Sequence, residues 1–137
     1  MTGLDSPNYE GLDRWSFETR RVEKPWGWEL IWAHAEEYAG KVLFVRAGHS
    51  LSLQFHNEKD ESWYVQSGRA EVQLGDAGET LLNTEVIRAG ACLRFRPGTV
   101  HKLKALEDTT ILEVSTPHLD DVVRLEDDYG RAGTSEP

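Results

Sequence analysis

Gln54 and His56 stand two residues apart, a carboxylate follows at Glu61, and a second imidazole, His101, comes shortly after a Pro97-Gly98 turn. Residues i and i+2 of an extended strand point the same way, so Gln54 and His56 converge on one point. A hairpin through residues 57–60 returns Glu61 to coordination reach of both. Imidazole nitrogen together with carboxylate and amide oxygen suits one borderline or moderately hard divalent ion per chain: zinc, manganese, iron, cobalt or nickel. Three or four protein ligands leave a position for water or substrate, as a catalytic site requires.

Such a set needs short strands to hold it. The middle of the chain has runs of β-branched and aromatic residues separated by Gly, Pro, Asn and Asp at hairpin spacing. They predict strands over 28–32, 41–46, 50–56, 61–66, 69–74, 84–88, 91–95, 101–105, 110–115 and 121–124, with a helical turn only at 33–38. Many short antiparallel strands in one small domain make a sandwich or barrel, and the expectation is an all-β, double-stranded jelly-roll barrel over residues 18–131. Residues 1–17 and 132–137 are polar and without periodicity, and are expected to form a flexible arm and a disordered tail.

Alternation along 50–56 puts Ser50, Ser52, Gln54 and His56 on one face and Leu51, Leu53 and Phe55 on the other. If the polar row lines a wet cavity, the apolar row needs a cover from outside, and a homodimer is expected on that ground. The same parity groups Glu61, Trp63 and Val65, and sets Lys102 and Lys104 opposite His101.

The whole chain narrows the function further. Its 137 residues fit one domain, and a net charge of −9 with a pI near 5.0 argues against a nucleic-acid surface, which is built from clustered Lys and Arg. A local pocket for a small anion stays open. Cys92 is the lone cysteine, no segment has the roughly 20 apolar residues of a membrane span, and the N-terminus lacks a signal-peptide core, so a cytoplasmic protein is expected.

The segment from Gly48 through Gln54-Phe55-His56 and Glu61 to Gly68 resembles the first cupin motif, with Gln54 in place of the first histidine. Gly90 and Pro97-Gly98-Thr99-Val100-His101 resemble the second, although Arg96 occupies the slot where a proline is usual and Pro97 lies beside Gly98. A narrower resemblance runs over residues 24–131. Lys24-Pro25-Trp26-Gly27, Leu51 to His56, Glu61-Ser62-Trp63 and Val123 to Arg131 are similar to the C-terminal cupin domain of type II phosphomannose isomerases, which is fused there to a mannose-1-phosphate guanylyltransferase. The resemblance implies Gln54, His56, Glu61 and His101 as metal ligands and a metal-assisted aldose–ketose isomerisation of a phosphorylated sugar.

That reaction needs a Lewis acid at the sugar oxygens and a base near carbon. Glu113, set among Ile111, Leu112 and Val114, is the first candidate for the base, ahead of Lys102, Lys104 and His49. A strand carboxylate paired with a nearby cation is an equally simple reading of it. Lys24, Arg124 and Arg131 are candidates for phosphate and Trp63 for the sugar, whereas Trp26, Trp28 and Trp32 read as packing. His34, His49 and His118 converge on nothing, and the acidic run at 126–128 reads as a solvated face. Two other functions fit the same residues: a cupin oxygenase acting on a small molecule, and a non-catalytic sugar- or metabolite-binding module.

Overall fold

A computed structural model describes residues 11–79 and 81–134. Eleven strands are found there: β1 Arg20–Lys24, β2 Gly27–His34, β3 Ala39–Val45, β4 Leu53–Phe55, β5 Glu61–Ser67, β6 Arg69–Asp76, β7 Asn83–Arg88, β8 Cys92–Phe95, β9 Thr99–Ala105, β10 Thr109–Ser115 and β11 Val123–Glu126. They form two antiparallel sheets, a six-stranded one in the order β1-β2-β3-β10-β5-β8 and a five-stranded one in the order β11-β4-β9-β6-β7. The all-β expectation holds. The expected arm and tail fall partly at residues 1–10 and 135–137, outside the described residues.

The sheets face each other because their strands alternate. In β5, Glu61, Trp63 and Val65 are buried while Ser62 and Tyr64 are not, and in β9 Val100, His101, Leu103 and Ala105 are buried. Val45, Val65, Val72, Phe95, Leu103 and Ile111 meet between the layers and are almost fully buried. Each such aliphatic contributes about 1.5–3 kcal/mol by leaving water. One end of this interlayer space is apolar; the other is lined by charged groups and forms the site.

Three expectations are corrected. Residues 33–38 are not helical: β2 runs on to His34 and a bend at Glu36–Glu37 returns the chain to Ala39, so strand pairing outcompetes a weak helical signal. The long strand at 50–56 contracts to Leu53–Phe55, preceded by a single bridge between Ser50 and Lys104. Leu51 therefore escapes the alternation and is buried at the cavity wall beside Ser52. With Leu53 and Phe55 half-buried, that row demands no second subunit. Finally, β1 pairs with β2 from Arg20↔Ile31 to Lys24↔Gly27, where no strand was expected. The alternation of Arg20, Val22 and Lys24 is too charged to read as a strand until β2 is there to pair with it.

Gly27 carries a specific demand at the β1–β2 corner. A Cβ there would lie 1.8 Å from the Phe44 carbonyl oxygen, so only glycine lets β2 approach β3.

Candidate metal centre and its cationic pocket

His56 directly follows β4, Glu61 opens β5 and His101 lies within β9, and all three side chains are buried. Their ligand atoms lie within 4.8 Å of one another, the one such His/Cys/Asp/Glu group among the described residues. His56 Nε2 is 2.9 Å from Glu61 Oε2, and His101 Nε2 is 3.7 Å from Glu61 Oε1. Gln54 is the register partner of His101 across β4 and β9 and lines the same cavity.

Both imidazoles are held in one tautomer. His56 Nδ1 donates to the main-chain carbonyl of Asp121, and His101 Nδ1 donates to that of Thr99 at 2.9 Å. A carbonyl only accepts, so a proton sits on each Nδ1 and each Nε2 is the atom turned towards Glu61. His101 is packed face to face with Phe95, centroids 4.3 Å apart, and edge-on to Trp63. Burial in this setting pushes its pKa down to about 4. Its Nε2 is buried without a hydrogen-bond partner. An orphaned lone pair beside a carboxylate and a second such imidazole fits a divalent ion, the donor set being nitrogen and oxygen.

Main-chain bonds close the loop before His101, where Arg96 stands. Gly98, with φ at +88°, donates its N–H to the carbonyl of His56 at 2.8 Å, and Thr99 N–H closes a turn onto the Arg96 carbonyl.

Sequence reasoning missed Lys59. It is buried, with Nζ 2.9 Å from Glu61 Oε2 and 3.1 Å from Glu113 Oε2. Burial alone would lower its pKa, but the two carboxylates outweigh burial and raise it, so it stays an ammonium. Burial opposes ionisation of Glu61 as well, and Lys59 with the two histidines overcomes it, drawing Glu61 well below the carboxylate range. Glu113 does face the cavity, where it accepts from Trp63 Nε1 at 3.2 Å in addition to Lys59. Trp63 thus serves the core and the cavity wall together. Asp121 was also missed: its carboxylate accepts the N–H groups of Asn57, Glu58 and Lys59 at 3.0, 2.6 and 2.9 Å. Burial notwithstanding, these donors keep its pKa below the usual value.

The inner cavity, about 90 Å³, opens into an outer one of about 430 Å³, and Lys24, Lys41 and Arg124 line both. Arg131 lines the inner one, so all three residues expected to meet phosphate reach the pocket. Lys24 and Lys41 share Glu29, at 3.9 and 3.4 Å. Burial lowers the Lys24 pKa, and Lys41, Arg124 and Arg131 lower it further against the pull of Glu29. Asp127 holds Arg131 with two contacts at 3.0 Å and also accepts its main-chain N–H. The acidic run is thus not wholly solvated, since the Asp127 side chain is fully buried. Lys41 had a readable signal, because Lys41, Leu43 and Val45 alternate on the buried face of β3. Lys102 is half-buried and Lys104 exposed, away from the cavity lining, whereas His49 bonds the Tyr129 hydroxyl at 2.8 Å.

The family described as mannose-6-phosphate isomerase C-terminal matches residues 13–127. The chain belongs to this family. It is 38% identical over 117 residues to the xanthan biosynthesis protein XanB of Xanthomonas campestris pv. campestris (strain B100), covering 82% of this chain and 24% of that protein. It is 36% identical to the mannose-1-phosphate guanylyltransferase ManC of Salmonella typhimurium, covering 82% of the chain and 23% of the relative. The chain thus spans about a quarter of the curated relatives it matches. Among solved structures, the oxalate decarboxylase of Lactobacillus farciminis superposes with a TM-score of 0.66 at 19% identity, over 78% of this chain and 33% of that one. That likeness places the mannose-6-phosphate isomerase C-terminal family member in the cupin fold. No helix among the described residues is long and apolar enough to cross a membrane.

Proposed function

We propose that the chain is a divalent-metal-dependent isomerase of the mannose-6-phosphate type, interconverting an aldose phosphate and its ketose, in a cytoplasmic homodimer. One observation carries this reading: His56 and Glu61 of the His56–Glu61–His101 cluster line the same pocket as Lys24, Lys41, Arg124 and Arg131. In a protein of net charge −9, four cations collected at one cavity besides Lys59 fit a phosphate, which clustered Lys and Arg recognise.

In this reading Gln54, His56, Glu61 and His101 hold one divalent ion, which supplies a Lewis acid for the carbonyl and the adjacent hydroxyl. Lys24, Arg124 and Arg131 bind the phosphate, and Trp63 forms the wall beside the sugar. Glu113 would take the proton from one carbon and return it to the adjacent one, its carboxylate oriented by Trp63 Nε1–H and Lys59.

A coupled assay for fructose 6-phosphate, run with zinc, manganese, cobalt, nickel and ferrous iron, tests the reading. Turnover abolished by His101→Ala and Gln54→Ala supports it; no turnover with any metal sinks it.

A second reading, sugar-phosphate binding without turnover, is favoured by the engagement of every carboxylate lining the cavity. Glu29, Glu61, Glu113 and Asp121 each already face a cation or N–H donors. Calorimetric binding of mannose 6-phosphate with no isomerisation selects it. The oxygenase reading rests on the fold alone, which hosts many chemistries.

A further inference from the structure

The outward face of the six-stranded sheet is apolar although the inward face already packs the core. Trp32, Tyr64, Leu112 and Val114 are 51%, 45%, 38% and 56% exposed there. With Cys92 and Arg94 they line a groove of about 440 Å³ across β2, β10, β5 and β8. Trp28 and Phe44 continue the surface, their rings stacked 5.5 Å apart. An antiparallel sheet ordinarily turns a polar face to water, and a contiguous apolar one marks a contact surface.

We propose that this face is where a second copy of the chain docks, sheet against sheet. Charge supports a second copy first. The chain carries −9, so two copies repel over most of their surfaces. Here the flanking charges are balanced: Arg21 pairs with Glu23 at the β1 side and Arg94 with Asp60 at the β8 side. Each flank therefore offers one cation and one carboxylate, and a rim of this composition can meet its own image without net repulsion, as a two-fold contact requires. Size supports it next. Five strands about 4.8 Å apart and about seven residues long give a face of roughly 24 by 23 Å, or about 1,000 Å² for two copies, at the threshold of a stable interface. Shape supports it as well, because the half-exposed Trp32 stands beside a groove that an identical partner can fill in both directions. This gives the expected homodimer its interface, and it stands whether or not the chain turns over a sugar phosphate.

Cys92, the sole cysteine and exposed on this face, reports occupancy directly. The full chain is followed by light scattering from 1 to 100 µM (about the range over which weak dimers assemble), with the rate of maleimide addition to Cys92 measured in parallel. The expected result is a dimer in which labelling slows about tenfold or more as it forms. Trp32→Asp and Leu112→Asp should each give a monomer with fast labelling and unchanged zinc affinity, the last confirming an intact fold. Val86→Asp, at an exposed residue of β7 in the other sheet, should leave the dimer intact. A monomer at all concentrations with constant labelling overturns the proposal. So does a dimer that survives both face variants with Cys92 freely reactive, which would place the contact elsewhere. A monomer whose Cys92 becomes reactive only on removal of residues 1–18 overturns it too, because the chain's own arm would then be the cover.

Discussion

The main-chain carbonyl of Asp121 accepts the Nδ1 proton of His56, and the carboxylate of the same residue gathers the three N–H groups that follow His56 in the chain. One residue thus sets the tautomer of a ligand and the path of the turn that leads to the next, Glu61. Asp121→Ala leaves the main-chain carbonyl on His56 in place and removes only the acceptor of the three N–H groups, so it should weaken zinc binding by about tenfold at most, the low end of the range found when groups behind a metal ligand are removed. Asp121→Asn, which keeps one acceptor oxygen, should lose less. Competition titration against a chromogenic chelator measures both.

Protonation of His101 should destabilise the metal-free protein. Its ordinary pKa of 6.5 falls to about 4 in the fold. Between those values the unfolded chain binds a proton that the folded one refuses, so stability is complete above about 6.5 and declines as the pH drops towards 4. Urea midpoints from pH 7.5 to 4.5 (a window covering the shift) should show this slope, and His101→Gln should flatten it. The depressed carboxylates Glu61 and Asp127 contribute in the same direction at lower pH.

Lys59 neutralises two buried carboxylates at once. Lys59→Met should lower the stability of the metal-free protein by about 3–5 kcal/mol, the cost of stranding buried charge. Zinc should recover part of the loss, because it restores positive charge next to Glu61. Denaturant curves with and without zinc would show the difference, and equal losses in both would refute the role.

Asp127 orients Arg131 toward the pocket. If that arginine binds phosphate, Asp127→Ala should raise KM for the sugar phosphate about tenfold with a smaller change in kcat, the pattern of lost substrate binding. Steady-state kinetics with mannose 6-phosphate separate the two constants.

Local patterns carried much of this architecture. Buried alternation in β5, β9 and β10 was legible because each strand has one face in the core, and parity then placed Glu61 and Trp63 together. Gln54, His56 and Glu61 could be grouped by strand parity and one hairpin, whereas His101, 45 positions beyond His56, joined them through its Pro-Gly turn and the resemblance to the second cupin motif. Lys59 was not legible, because it lies in a turn where alternation says nothing and its partner Glu113 is 54 residues away by numbering. Asp121 was hidden similarly: its role is to accept backbone donors, which leave no side-chain signature. Asp127 looked like one member of an acidic run until Arg131 folded back on it. Leu51 was misplaced because β4 is only three residues long, too short to impose its period on the residues before it.

The candidate ligands are also distributed between layers. His56 and His101 come from the five-stranded sheet and its end, while Glu61 belongs to the six-stranded one, so an ion among them is a clasp across the sandwich. With 44 residues between His56 and His101, the clasp can close only after long-range pairing is in place, the slow step in folding β-proteins. Metal should therefore leave the folding rate nearly unchanged and slow unfolding, extending the lifetime of the native state rather than hastening its arrival.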